Sequence, residues 1–316
     1  PWPPFEIFRV TPQARELLQG LLANDLMGFQ LPSFGAHFLH CAAELLGAEV
    51  DWETGEATYA GHTCRVRAFP ISIDVGAFQE AASVPGTEGR VTKLRERYVR
   101  DEGQLGVGVD RMDYSKGLPE KLKALDLLWE RYPEFRERFT FVQVAVPSRT
   151  DIEAYDDLTH KVERLTWEIN DRYGTAEWRP IHLIKRPLYR AADVCIVSSL
   201  QDGMNLVAKE FVACQDQDDP GVLLLSRFTG AFEELTGSVE VNPYDPEEFA
   251  RRIRDALTMP HSERVSRLQE MRQGLRTIYD WMADIFEVWG ALHRAGPIPL
   301  TAPALPPKPP TAEWPG

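Results

Sequence analysis

The strongest constraint on this chain is an alternation that begins near residue 103: short apolar runs, each followed by a stretch with helical spacing. Leu105 to Val109 reads as a strand, and Leu118, Leu122, Leu125 and Trp129 then recur on one helical face. Phe139 to Val146 is an almost unbroken apolar strand. Thr150-Asp151-Ile152-Glu153 has the form of a capping box, and it opens a long helix with Leu158, Val162, Leu165 and Ile169 on one side. Strands over 181–184, 193–198, 222–226 and 238–241 follow, with a helix from about 203 and a short one after 226. Asp245-Pro246-Glu247-Glu248 starts another helix, with a cap residue and proline at the first helical position. Strands that are apolar on both faces must be covered on both faces. The pattern predicts a doubly wound parallel α/β sheet whose ligands sit at the carboxyl ends of its strands.

Upstream, Leu17, Leu18, Leu21 and Leu22 form an apolar helical stripe, Leu26 to Phe29 a short strand, and Phe34, Phe38, Cys41 and Leu45 a second helix. Residues 48–73 look β-rich, and Gly, Pro and Ser collect over 76–90. A chain of 316 residues exceeds one ordinary core. We therefore expect one domain over 1–80, a second over 81–275 and a C-terminal helix over 276–295 that crosses back to the N-terminal domain. The last stretch, 296–316, holds eight prolines and is expected to be an extended tail. The chain opens Pro1-Trp2-Pro3-Pro4 without an initiator methionine, which reads as a start cut from, or inside, a longer product.

Charge narrows the classes of partner. Lys and Arg number 35 against 48 Asp and Glu, a formal net charge of −13, which disfavours a nucleic-acid backbone. The longest apolar run, around Val222 to Leu225, falls far short of the roughly 18–20 residues of a membrane span. Cys41, Cys64, Cys195 and Cys214 are scattered without a CxxC pair and read as thiols of a reducing cytoplasm.

Two segments after strands combine groups that carry chemistry. In Val109-Asp110-Arg111-Met112-Asp113-Tyr114-Ser115-Lys116-Gly117, two cations five residues apart precede a helix start. Fixed positive charge beside unpaired helix N–H groups suits a diphosphate. The plainer reading is a strand-to-helix turn in which Arg111 pairs with Asp110 or Asp113. The second segment is Asp202-Gly203-Met204-Asn205-Leu206-Val207-Ala208-Lys209-Glu210. Asp202 is a natural N-cap there, Gly203 allows close approach to the backbone, and Glu210 is suited to both hydroxyls of a ribose. The alternative is an ordinary capped helix with a solvated Glu210. Arg149 also follows a strand, where it could clamp a phosphate or pair with Asp151. His37, His40 and Cys41 lack a strong metal-ligand spacing, and Asp216-Gln217-Asp218 reads as an acidic turn rather than a metal site. Neither GxGxxG nor a Walker A motif is present, which argues against a dinucleotide oxidoreductase and a P-loop kinase.

These two strings resemble the signatures of the trehalose-6-phosphate synthases, glycosyltransferase family 20. Further matching strings are Asp25-Leu26-Met27-Gly28-Phe29-Gln30, Phe69-Pro70-Ile71, Val146-Pro147-Ser148-Arg149, Ser226-Arg227-Phe228-Thr229-Gly230-Ala231 and Val241-Asn242-Pro243-Tyr244-Asp245, in order from residue 1 to about 294. The resemblance implies an α/β fold of GT-B type, two Rossmann-like domains of which the N-terminal one is incomplete here. It implies retaining transfer of glucose from UDP-glucose to glucose 6-phosphate in trehalose biosynthesis. UDP-glucose is then a substrate, and no cofactor or metal is expected. Arg111, Lys116 and Asp202 would be the catalytic residues. Arg111 and Lys116 would hold the donor diphosphate, Asp202 the transferred glucose, the backbone of Gly203, Met204, Asn205, Leu206 and Val207 the same leaving charge, Glu210 the ribose, and Arg149 the acceptor phosphate. The implied setting is cytoplasmic, with small-molecule substrates, no nucleic acid and no membrane; self-association is left open.

The chain departs from the family pattern in two places. The Gly-rich loop, most acceptor-binding residues and a histidine near the donor sugar have no counterpart, and Lys185-Arg186-Pro187-Leu188-Tyr189-Arg190 is shorter than the link usual near the nucleotide base. Two alternatives therefore stay beside the leading reading. One is an inactive nucleotide-sugar-binding or regulatory homologue; the other is a synthase that uses another acceptor, such as glycerol 3-phosphate.

Overall fold

The computed structural model describes residues 1–146, 153–184 and 189–293. The described residues divide into two compact units, Pro1–Ser72 with 277–293, and Ile73–Arg276. In chain order the first unit contains α1 (Phe5–Phe8), α2 (Ala14–Leu22), β1 (Leu26–Phe29), α3 (Pro32–Leu46), β2 (Glu49–Asp51), β3 (Glu56–Tyr59) and β4 (His62–Ala68). The second contains α4 (Val75–Ser83), α5 (Thr87–Tyr98), β5 (Gln104–Arg111), α6 (Leu118–Arg131), β6 (Phe139–Val146), α7 (Glu153–Tyr173), β7 (Ile181–Ile184), β8 (Val194–Val197), α8 (Leu206–Cys214), β9 (Val222–Ser226), β10 (Val239–Val241), α9 (Pro246–Leu257) and α10 (His261–Gly274). Helix α11 (Ile278–His293) belongs again to the first unit.

In the first unit the sheet order is β1-β4-β3-β2, and among its described strands the β1–β4 pair alone is parallel. The antiparallel part follows from a two-residue turn: Tyr59 pairs with His62, and Ala60 and Gly61 between them both have positive φ. That geometry matches the twist of a tight hairpin and returns the chain on itself. Leu18 and Leu22 of α2 and Phe38, Leu39, Cys41 and Ala42 of α3 bury their side of the core against Ala57, Cys64 and Val66. The Nε1–H of Trp281 on α11 donates to the Phe69 carbonyl at 3.0 Å, which ties the last helix to this unit.

The second unit is the predicted doubly wound sheet. Its six described strands are parallel, in the order β10-β9-β8-β5-β6-β7. Sequence order therefore runs outward from β5 in one direction and from β8 in the other, so the topological switch point lies between them. Both faces are covered. Phe139 and Phe141 lie in the core under α6, α7 and α9, while Val142, the next residue, packs with Leu105 against α5. This double burial explains why β6, β8 and β9 read as apolar runs.

The boundary expected after residue 80 falls instead at Ser72–Ile73. Helix α4 packs on α8, the Phe78 carbonyl faces the Cys214 thiol, and the Ala82 carbonyl accepts from Arg190. Those contacts place 73–80 in the second unit. The expected capping box at 150–153 and the tail 296–316 lie outside the described residues.

Candidate nucleotide-sugar site

The switch point is where residues distant in sequence are brought together. Strand β5 ends at Arg111, and Asp113 then caps a single 3-10 turn, Tyr114–Lys116, accepting from the N–H of Ser115 at 2.9 Å and from its hydroxyl at 2.8 Å. Gly117 follows in the left-handed region, with φ +63°. A β-carbon there would stand 2.1 Å from the Ser198 carbonyl oxygen, so only glycine lets the two loops approach. They are joined directly: the Leu200 N–H donates to the Ser115 carbonyl at 2.7 Å, and the Ser198 hydroxyl donates to the Lys116 carbonyl at 3.0 Å.

Asp202 is the centre of this join. Its Oδ2 accepts from Lys116 Nζ at 2.5 Å and from Asn205 Nδ2 at 3.0 Å. The chain beyond it is braced by the loop after β9. The Gly230 N–H donates to the Asp202 carbonyl at 3.1 Å, and the Ala231 N–H to the Met204 carbonyl at 2.7 Å. The string Ser226–Ala231 thus acts through its backbone. Asn205, with φ +80°, accepts from the Ala208 N–H and starts α8. A non-glycine residue in this region carries strain, and here the Asp202 contact and the cap both hold it.

Val109, Asp110, Arg111, Lys116, Asp202, Met204, Asn205, Leu206 and Val207 line one cavity of about 370 Å³. Of the residues expected to act together, Arg111, Lys116, Asp202 and 204–207 therefore meet, with Gly203 between them in the chain. Glu210 lies one helical turn further along α8, outside the cavity wall, where it accepts from the Tyr189 hydroxyl at 2.8 Å. Arg149 lies outside the described residues. A larger cavity of about 620 Å³ is lined by residues of α5 and α7 together with His182. It faces the amino ends of the strands, and its Arg100 is already paired with Glu137 and Glu177. Loops converge at the carboxyl ends of a doubly wound sheet, which makes the smaller cavity the candidate site.

The cations of the site are not equivalent. The Arg111 side chain is 59% exposed, and its contact with Asp113 is a loose 3.9 Å. It does not pair with Asp110, because that carboxylate is buried against Lys121 at 2.6 Å and accepts from Gln143 at 3.0 Å. Lys116, by contrast, is largely buried and committed to Asp202. Burial alone would raise the Asp113 carboxyl; the Ser115 N–H and hydroxyl, with Arg111 and Lys116 nearby, outweigh that and hold it below the usual carboxylate range.

Two expectations need correcting. Asp202 is not the N-cap of a helix from 203. Lys116 and Asn205 occupy its carboxylate, the next residues form a braced loop, and α8 begins at Leu206 with Asn205 as cap. Glu210 is consequently one turn into its helix. Sequence reading also missed Lys121 and Gln143. Lys121 was detectable: it is three residues after Leu118 and four before Leu125, so it falls on the apolar stripe of α6 and is fully buried. Gln143 stands inside an apolar strand, a second sign of a buried polar network. Tyr189 has no comparable signal.

Asp216 pairs with Arg190 at 2.6 Å and accepts from the Asp218 N–H, as an acidic turn does. His37 faces the Trp2 carbonyl, His40 lies near Glu44, and Cys41 is buried in the core. Among the described residues, no group of three or more His, Cys, Asp or Glu is placed to hold a metal ion. Among them, too, no helix is long and apolar enough to cross a membrane.

A doubly wound sheet with its site at the switch point is common to many nucleotide-binding folds, and the solved structures that this chain resembles narrow the class to GT-B glycosyltransferases. The family model for glycosyltransferase family 20 matches residues 1–289, and the chain belongs to that family. It is 39% identical over 279 residues to the alpha,alpha-trehalose-phosphate synthase (UDP-forming) of Pichia angusta, covering 86% of this chain and 58% of that protein. The chain thus spans little more than half the length of that relative. An alpha,alpha-trehalose-phosphate synthase (UDP-forming) from Burkholderia xenovorans, solved in complex with glucose-6-phosphate, superposes with a TM-score of 0.86 at 34% identity, over 93% of this chain and 66% of its own. An E. coli trehalose-6-phosphate structure bound with UDP-2-fluoro glucose gives 0.84 at 35% identity, over 94% and 67%.

Proposed function

We propose that this chain carries the donor site of a retaining trehalose-6-phosphate synthase, which transfers glucose from UDP-glucose to glucose 6-phosphate and forms α,α-trehalose 6-phosphate and UDP. The observation that carries this reading is the convergence of Arg111, Lys116, Asp202 and the start of α8 on one cavity at the switch point. Glycosyl transfer builds negative charge on the departing phosphate. An exposed guanidinium, an ammonium already fixed in place and the N-terminal amides of a helix stabilise that charge more in the transition state than in the ground state.

In this reading Arg111 and Lys116 hold the diphosphate, and the backbone of Gly203 to Val207 supports the same charge. Asp202 takes hydroxyls of the transferred glucose, and Glu210 takes the ribose. Arg149 is assigned to the acceptor phosphate. The acceptor hydroxyl attacks the face from which the diphosphate leaves, and the departing phosphate oxygen takes its proton. We assign the second unit to the donor and the first to the acceptor side. UDP-glucose enters as a substrate, and the reading includes no cofactor. Buried free thiols at Cys41, Cys64 and Cys195 accord with a cytoplasmic setting.

Calorimetric titration with UDP-glucose tests the donor site, and UDP release with glucose 6-phosphate or glycerol 3-phosphate tests the transfer. Donor binding and UDP release with glucose 6-phosphate are expected. Donor binding without release for either acceptor would fit a regulatory homologue, and a folded chain that binds no donor would sink the reading.

A further inference from the structure

Glu210 has a partner that ribose binding by itself does not call for. Tyr189 donates its hydroxyl to Glu210 Oε2 at 2.8 Å, and Tyr189 is itself firmly held. Its ring stands edge-on to Phe211, with centroids 6.4 Å apart and planes at 87°, and its carbonyl accepts from Gln215 Nε2 at 3.0 Å. Burial first, then the charge of Glu210, drives the phenol well above its ordinary ionisation range, so it stays a donor at any working pH. Glu210 is only partly buried, and among the described residues the phenol is the one recorded partner of its carboxylate. One oxygen is thus anchored while Oε1 is left for a ligand.

We propose that Tyr189 is a positioning residue for nucleotide recognition: by anchoring Oε2 of Glu210 it presents the carboxylate to a vicinal ribose diol and selects ribonucleoside diphosphates over their deoxy forms. This rests on the reading of Glu210 as the ribose-binding group. The physical basis is preorganisation. A free glutamate on a helix surface samples several rotamers and must give up that freedom when a diol binds. A carboxylate already held by a buried phenol gives up less, and more of its interaction with the diol appears as affinity. The turn Tyr189–Ala191 directly precedes β8, so the anchor is set by the same strand that builds the switch point.

The test compares UDP with 2′,3′-dideoxy-UDP by calorimetry on the full chain. The unaltered chain should prefer UDP by about tenfold or more, the usual worth of hydroxyl contacts to a charged group. Tyr189→Phe keeps the ring against Phe211 and removes the anchor. It should cut the preference by about three- to fivefold, with dideoxy-UDP affinity unchanged. A merely structural tyrosine would lower the melting temperature or both affinities together and leave their ratio intact, which would overturn the proposal. Glu210→Gln separates the two layers. If it collapses the preference while Tyr189→Phe does not, the ribose assignment stands and the positioning role fails. If neither moves the ratio, the ribose assignment fails and takes the proposal with it.

Discussion

At the residue scale, Arg111 and Lys116 look alike in the sequence, as two cations in one loop, and differ in the folded chain. Arg111 is exposed and only loosely paired, so its charge is free for a ligand. Lys116 is largely buried and neutralises Asp202. Both Arg111→Ala and Lys116→Ala should weaken UDP-glucose binding more than tenfold, since a charge-assisted contact is worth roughly 1.5–3 kcal/mol. Thermal melts should then distinguish them. Arg111→Ala should leave the melting temperature unchanged, whereas Lys116→Ala should lower it by leaving the Asp202 carboxylate without its cation. Unchanged donor affinity in both variants would remove these residues from the site. The residue types and their spacing already pointed to a diphosphate. Which cation was committed could not be read, because Asp202 is 86 residues from Lys116 and only folding makes them neighbours.

At the element scale, the geometry of β5 depends on what lies beneath it. Lys121 on α6 is fully buried and reaches Asp110 at 2.6 Å and the side-chain oxygen of Gln143 on β6 at 3.1 Å. Gly108 of β5 makes room for this network; a β-carbon there would meet Gln143 Oε1 at 2.6 Å and Lys121 Nζ at 2.7 Å. The network fixes the strand residue next to Arg111. Replacing Lys121 by Met should destabilise the protein by about 3–5 kcal/mol in urea unfolding, because it strands a buried carboxylate. Adding Asp110→Asn should recover part of that loss, since a neutral amide is cheaper to bury than an unpaired charge. A neutral Lys121→Met result would mean that α6 and β5 are held by apolar contacts alone. The elements themselves were largely legible, because apolar periodicity is a local property: β5 to β10 and α9 fall within a few residues of their expected spans. The start of α8 was not, because its cap depends on a side chain that another element had already engaged.

At the scale of the whole molecule, pH acts on stability near neutrality through His182 on β7. Burial first, and then Arg179 and Arg97, hold its imidazole below the ordinary value of 6.5. Between that depressed value and 6.5 the unfolded chain binds more protons than the folded one, so stability is lost as the pH falls through this window. Denaturant unfolding from pH 7 to pH 5 should show that loss, and His182→Gln should flatten it; an equally steep fall in the variant would assign the effect to other groups. The sequence by itself determined the fold class, the position of each strand in the second unit and the two segments that carry chemistry, because burial patterning and turn chemistry are written over a few consecutive residues. The tertiary structure alone decided the unit boundary at Ser72–Ile73, the pairing of Lys116 with Asp202, the buried Lys121–Asp110–Gln143 network and the Tyr189 anchor. Each depends on groups far apart in the chain, and no local pattern encodes which of several charged or polar candidates will share the space that a parallel sheet encloses.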